Sequence, residues 1–180
     1  MIKSFNEWSI NESTNNRILD TLRKNDAAIM SASRDKYTFK ENRGRNIELI
    51  KKLSNKGYQI TDLKGIYIEN YGTKDAKEVL EDSYLIVNIS KYPKFTDYII
   101  GLGKEYDQDC VMFITHGGNR GYLYGTNGAS FPGLDNIEEL GRLKIASGGE
   151  FYSKKTGSLK FTFVKDMDYP VPEVSWIKIR

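Results

Sequence analysis

Between Ala27 and Thr115 the sequence alternates short apolar runs with apolar stripes at helical spacing, in the order β-α-β-β-α-β. Residues 27–33 (AAIMSAS) form a short apolar run that reads as a buried strand. Residues 41–56 read as a helix, with Ile47, Ile50 and Leu53 on one stripe and Leu49 beside it. Gly57 stands where a helix stops. Residues 58–70 are extended around Ile60, Leu63, Ile66 and Ile68, and Gly65 marks a bulge. Residues 82–90 (DSYLIVNIS), rich in β-branched residues, form a second strand of this pair. Residues 95–106 follow Pro93 as a second helix, and 110–115 (CVMFIT) close the set as a buried strand. This order belongs to an α+β domain with a ferredoxin-like β-α-β-β-α-β core: an antiparallel sheet with both helices on one face.

The remaining segments are placed around that core. Residues 116–128 carry five glycines around Tyr122, Leu123 and Tyr124, and read as a turn, a short strand and a turn. Residues 137–140 read as one helical turn. Residues 151–165 read as a C-terminal hairpin with its turn at 154–157, extending the sheet. Pro170 and Pro172 make the start of the tail extended. Residues 1–25 read as a polar leader with helical character, and 11–16, rich in Asn, Ser and Thr, as its linker. Residues 26–180 then form a single domain.

Composition removes several chemistries. A single cysteine, Cys110, excludes an intrachain disulfide framework and a cysteine-rich zinc site. A single histidine, His116, excludes paired-histidine centres. The net charge of +3 is too mild to argue for nucleic acid by itself. No apolar run approaches the roughly 20 residues of a membrane span. Residues 1–20 lack the apolar stretch of a secretory signal, so the chain is expected to be soluble and intracellular.

Four groups of residues could carry chemistry. Ser31, Ser33 and Arg34 end the first strand, where Arg34 could clamp a phosphate or carboxylate; a surface Arg with serines in a turn is the blander reading and the favoured one. Residues 34–56 hold eight basic residues against three acidic ones. That helix could face an anionic partner or simply water. Glu69, Glu81, Ser83 and Gln108 lie at or near strand ends. Glu69 and Glu81 could act as acid and base or hold Mg²⁺, but neither spacing nor a histidine ligand supports this, and ordinary loop carboxylates are the favoured reading. Residues 116–121 (HGGNRG) could wrap an anion, but a hairpin turn explains the same glycines. Cys110 lies in an apolar run and reads as an inert core thiol.

Two resemblances stand beside this reading. The first rests on Ser31-Ala32-Ser33-Arg34, Asn46 with Leu49 and Leu53, Gly57-Tyr58, Gly65-x-Tyr67-x-Glu69, Glu81-x-Ser83, Leu102-Gly103, and Tyr106-x-Gln108-Asp109. This spread pattern, over residues 28–115, resembles a family of small uncharacterised proteins of bacteria and tailed phages. The resemblance implies no catalytic residue. It draws attention to Arg34, Asn46, Glu69, Glu81, Ser83 and Gln108, where polar residues recur. The family pattern has Gly before the Gln, whereas this chain has Asp107. The second rests on Met1–Glu12 (MIKSFNEWSINE), which resembles the capsid-targeting leaders of internal head proteins in T-even-like phages. It implies cleavage after Glu12 by a prohead protease.

Three functional readings follow. The leading one is a phage accessory protein of the host cytoplasm, packaged in the virion or made early, that acts in host takeover or counter-defence. It would bind an anionic small ligand such as a nucleotide through Ser31, Ser33, Arg34, Asn46, Ser83 and Gln108. The second is an enzyme acting on a nucleotide or phosphorylated substrate through Glu69 and Glu81, with Mg²⁺ as its only conceivable cofactor. The third is a structural or interaction module that binds a host or virion protein.

Overall fold

The computed structural model describes residues 17–18, 20–69, 77–117, 120–146, 160–164 and 176–179. For 64–69, 77–81, 142–146, 160–164 and 176–179 it is the backbone path that is described. The elements are β1 (Ala27–Met30), α1 (Phe39–Asn55), β2 (Gln59–Glu69), β3 (Lys77–Val87), α2 (Phe95–Glu105), β4 (Cys110–Ile114), β5 (Gly121–Gly125), β6 (Ile137–Ala146), β7 (Lys160–Val164) and β8 (Trp176–Ile179). Among the described residues, the strands form one sheet in the order β7-β6-β5-β4-β1-β3-β2-β8. Every pairing in it is antiparallel. Its centre, β4-β1-β3-β2, is the ferredoxin-like core that the sequence order implies. The end strands β7 and β8 approach to within 8 Å between Cα atoms, so the sheet is strongly curled.

β1 occupies the middle of the sheet and is buried along its whole length. Its two faces serve two cores. Ala28 and Met30 join Leu49, Leu53, Ile86, Ile99 and Leu102 under the helices. Ala27 and Ile29 join Leu63, Leu85, Val87 and Ile114 on the opposite face. Ile18 and Leu22, from the helical residues before β1, are buried in that second core. The proposed leader cleavage site at Glu12 lies outside the described residues.

α1 starts where a capping box dictates. The Thr38 hydroxyl accepts from the Glu41 N–H, and the Glu41 carboxylate accepts from the Thr38 N–H at 2.8 Å. The helix therefore begins two residues earlier than the apolar stripe suggests. It ends as expected at Gly57, whose φ of 75° closes the turn. The Tyr58 N–H then reaches the Leu53 carbonyl at 3.4 Å, and both side chains enter the helix-side core.

Four local expectations change. The buried stripe of α1 is Asn46, Leu49 and Leu53, while Ile47 is exposed. A polar residue holds the inward position because its amide oxygen and nitrogen each meet a partner there, as described below. The β2–β3 register runs unbroken through Gly65 opposite Glu81, so no bulge stands there. The irregularity lies between β5 and β6, next to Gly141 with its φ of 97°. Residues 137–140 are not a helical turn but the start of β6, which pairs with β5 and then with β7. The C-terminal hairpin is thus made of β6 and β7, and the expected turn at 154–157 lies outside the described residues.

Candidate functional site

The loop leaving β1 carries the densest polar chemistry. Asn46, buried on α1, accepts from the Ala32 N–H at 2.9 Å and donates to the Ser33 hydroxyl at 3.0 Å. One turn earlier, Asn42 accepts from the Arg34 N–H at 2.9 Å and donates to the Arg34 carbonyl at 3.0 Å. Arg45 lies between them and donates to the Ala32 carbonyl at 2.7 Å and the Tyr106 carbonyl at 2.6 Å. The Ser31 hydroxyl accepts from the Ser33 N–H at 3.0 Å. Buried Gln108, just past α2, donates to the Ser33 carbonyl at 3.0 Å. Ser31, Ser33, Arg34, Asn46 and Gln108 therefore converge. Ser83 is buried on β3 opposite Leu63, one position past the Met30–Tyr84 pair that ends β1.

The outer side of this cluster is ionic. The Arg34 guanidinium pairs with Asp109 and stands 4.0 Å from Asp107. Lys36 donates to Asp107 at 2.6 Å. Partial burial works against the Arg34 charge, but Asp109, Asp107 and Asp35 outweigh it and raise its pKa. Lys36 and then Asn127 hold the Asp107 carboxyl below the ordinary carboxylate range. Asp107 has a φ of 54°, the left-handed conformation a glycine would take without cost. The turn is intact: the Gln108 N–H still bonds the Gly103 carbonyl at 2.9 Å. Asp107 thus keeps the glycine geometry and adds a carboxylate that Lys36 and Asn127 use.

Part of the basic segment 34–56 is used within the molecule, while Lys40, Arg43 and Lys51 are exposed on α1. Arg45 lies over the rings of Tyr37 (4.5 Å) and Tyr106 (5.3 Å). Lys52 pairs with Glu48 and Glu105, the latter contact raising its pKa most. Lys56 lies over Tyr98 (5.1 Å) and Tyr92 (5.4 Å). β4 and β5 pair up to Ile114 and Gly121 on either side of the glycine-rich segment, the Thr115 N–H reaches the Arg120 carbonyl at 3.0 Å, and Arg120 pairs with Glu139.

Sequence reasoning missed Asn42, Arg45, Asp109 and Asn127. The signal was present for the first two. Asn42, Arg45, Asn46, Leu49 and Leu53 are spaced as one continuous inward stripe whose first turn is polar. Glu69 and Glu81 occupy the β2–β3 ladder, opposite Lys77 and Gly65 respectively. Their backbones are four positions apart, roughly 13 Å along the strands. Among the described residues no group of three or more His, Cys, Asp or Glu side chains is placed to hold a metal ion. Among them, too, no helix is long and apolar enough to cross a membrane.

A third feature was not foreseen. Extending the core by β5 and β6 leaves strand surface beyond the reach of α2. A hollow of about 360 Å³ opens there, floored by Phe113, Tyr122 and Tyr124 and walled by Phe95 and Ile100.

An α+β domain with this core, carrying a polar loop cluster between β1, α1 and α2, defines the class of protein. The chain matches the S-adenosylmethionine lyase family over residues 28–168, and it belongs to that family. The resemblance seen over 28–115 falls inside this match. No curated protein matches the chain. Membership in a family named for an enzyme overturns the leading expectation of a non-catalytic ligand-binding phage protein; the expectation of an enzyme is the nearer one.

Proposed function

We propose that this protein is an enzyme that cleaves S-adenosylmethionine without adding water. The observation that carries the reading is family membership across both helices and every strand from β1, less its first residue, to β7. The substrate bears a sulfonium, an ammonium and one carboxylate, so it is a net cation rather than the anion expected from Arg34.

The chemistry follows from what a lyase leaves out. With no water added, the electrons that displace sulfur come from the substrate itself. Its carboxylate oxygen reaches the γ-carbon through a five-membered ring. The O–Cγ bond forms, the Cγ–S bond breaks, and the electron pair passes to sulfur. The products are a lactone and a neutral thioether, 5′-methylthioadenosine. Two opposite charges disappear in this step, so a site that excludes water favours it. The protein's task is to fold the substrate onto itself and to hold its ammonium. Glu69 and Glu81, four ladder positions apart, are each proposed as the carboxylate that meets the ammonium, and their separate variants decide between them. Ser31, Ser33, Asn46 and Gln108 are proposed to frame the site by fixing the loop after β1.

Purified protein incubated with S-adenosylmethionine tests this, with products read by mass spectrometry. Each carbon–sulfur bond gives a different thioether, so the product names the bond. The expected product is 5′-methylthioadenosine, with turnover lost in Glu69→Gln or Glu81→Gln. A parallel reaction in EDTA tests the Mg²⁺ expectation. Intact substrate after prolonged incubation overturns the proposal.

A further inference from the structure

We propose that the outward face of α1 is a binding surface for single-stranded nucleic acid. This inference goes beyond the lyase reading and does not rest on it.

The face follows from helical spacing. Phe39, Arg43, Ile47 and Lys51 recur every four residues along α1, and Lys40 and Gly44 stand beside them. All six are exposed, on the side away from buried Asn46, Leu49 and Leu53. Lys40 and Lys51 stand ~16 Å apart along the axis. Among the described residues no salt bridge engages Lys40, Arg43 or Lys51. The carboxylates of the helix itself are taken, Glu41 by the Thr38 cap and Glu48 by Lys52. Three unmatched cations therefore share one helix face, a pattern that suits a polyanion.

The apolar members of the face choose among polyanions. Phe39 is 82% exposed and Ile47 45%. Arg43 and Gly44 separate them, so the middle of the face is cationic rather than apolar. A protein interface keeps charge out of its core and sets it at the rim, the reverse of this order. A helix lying in a membrane surface keeps its cations on the face opposite its apolar residues, again the reverse. A nucleic acid accepts a cationic centre, because its own charge runs along its backbone. The Phe39 ring, at one end, offers a free flat surface on which an unpaired base stacks. Bases of a duplex are already stacked on one another, so this ring argues for a single strand. Gly44 completes the surface. A Cβ there would meet nothing within 4 Å, so no internal contact explains a residue that weakens a helix. Its bare backbone lets a strand approach closely.

Fluorescence anisotropy of the full chain with a labelled oligothymidylate of about 12 nucleotides tests this. Saturable binding is expected, tighter than to a duplex of the same length. With three phosphates neutralised, affinity should fall about 20-fold between about 50 and 200 mM salt. Lys40→Gln, Arg43→Gln and Lys51→Gln combined should remove that salt dependence and most of the binding. Phe39→Ala should weaken binding about fivefold or more and keep the salt dependence. Gly44→Glu puts a carboxylate among the cations and should weaken binding about fivefold near 0.1 M salt. All these positions are exposed, so each variant should keep the wild-type Tm or exceed it. No saturable binding at low salt, whether or not phosphatidylglycerol vesicles capture the chain, overturns the proposal. So does binding indifferent to these variants, a duplex bound as tightly as the single strand, or equal displacement of the oligonucleotide by polyglutamate. The assay contains no S-adenosylmethionine, so this surface and the lyase activity stand or fall separately.

Discussion

Replacing Asn46 by alanine isolates the bond that shapes the loop after β1. The side chain satisfies the N–H of Ala32, a residue with no exposed surface, and the hydroxyl of half-buried Ser33. Water can take over at Ser33. It cannot readily reach Ala32, so the alanine variant leaves a buried donor without a partner. Such a donor costs about 1–3 kcal/mol, and the total with the lost Ser33 contact is about 2–3 kcal/mol. For a chain of this size that is a fall in Tm of roughly 4–12 °C. Urea unfolding followed by circular dichroism reads the effect as a lower midpoint with the same slope. Ser33→Ala is the control and should cost about 0.5 kcal/mol or less. The reasoning fails if Asn46→Ala unfolds at the wild-type midpoint, or if Ser33→Ala is equally damaging.

Other consequences follow from the same contacts. A methyl group on Gly125 would land on the Gly133 carbonyl, so Gly125→Ala should cost about 3 kcal/mol or more in thermal unfolding. Gly44 on α1 has open space around it, and Gly44→Ala should stabilise by about 0.5–1 kcal/mol in the same assay. At position 107, alanine should be worse than glycine in denaturant titrations. Both lose the Lys36 contact, but only alanine keeps the cost of a φ of 54°. Asp107 and Asp135 titrate below the ordinary carboxylate value, held by Lys36 and Lys104 respectively. Their contribution is present above about pH 4 and is lost as pH falls through the folded-state values. Tm measured between pH 2 and 6 should therefore fall on the acid side, with a shallower fall in Asp107→Asn. Burial pushes the Tyr58 phenol up to about 12, and its hydroxyl has no hydrogen-bond partner. Tyr58→Phe should leave stability unchanged or raise it by up to about 1 kcal/mol at pH 7. It should also soften the loss of stability as pH rises from about 10 to 12.

The core was legible because its signals are local. Residues 82–90 and 110–115 are apolar and β-branched enough to be strands in nearly any setting, and Gly57 ends α1 by its own backbone freedom. The stripe of α1 was misplaced by one residue because apolarity was taken as the mark of an inward position. Asn46 faces inward because it matches two groups on a loop 13 and 14 residues away, which no helical pattern encodes. β6 was hidden for a similar reason. Residues 137–140 (IEEL) have helix-forming composition, and only pairing with Tyr122–Tyr124 makes them extended.

The charge of α1 misled the functional reading most, and the cause is again distance along the chain. Arg34 meets Asp109 across 75 residues, Lys36 meets Asp107 across 71, and Lys52 meets Glu105 across 53. Counted within 34–56, these cations look like a surface waiting for an anion. Counted in the fold, each is neutralised by the turn that follows α2 or by that helix's last residues. A basic segment argues for an anionic partner only through the charge that remains after such contacts are subtracted. By that measure Arg34, Lys36 and Lys52 drop out of the basic run, and what is left for a partner is the exposed trio Lys40, Arg43 and Lys51 on α1.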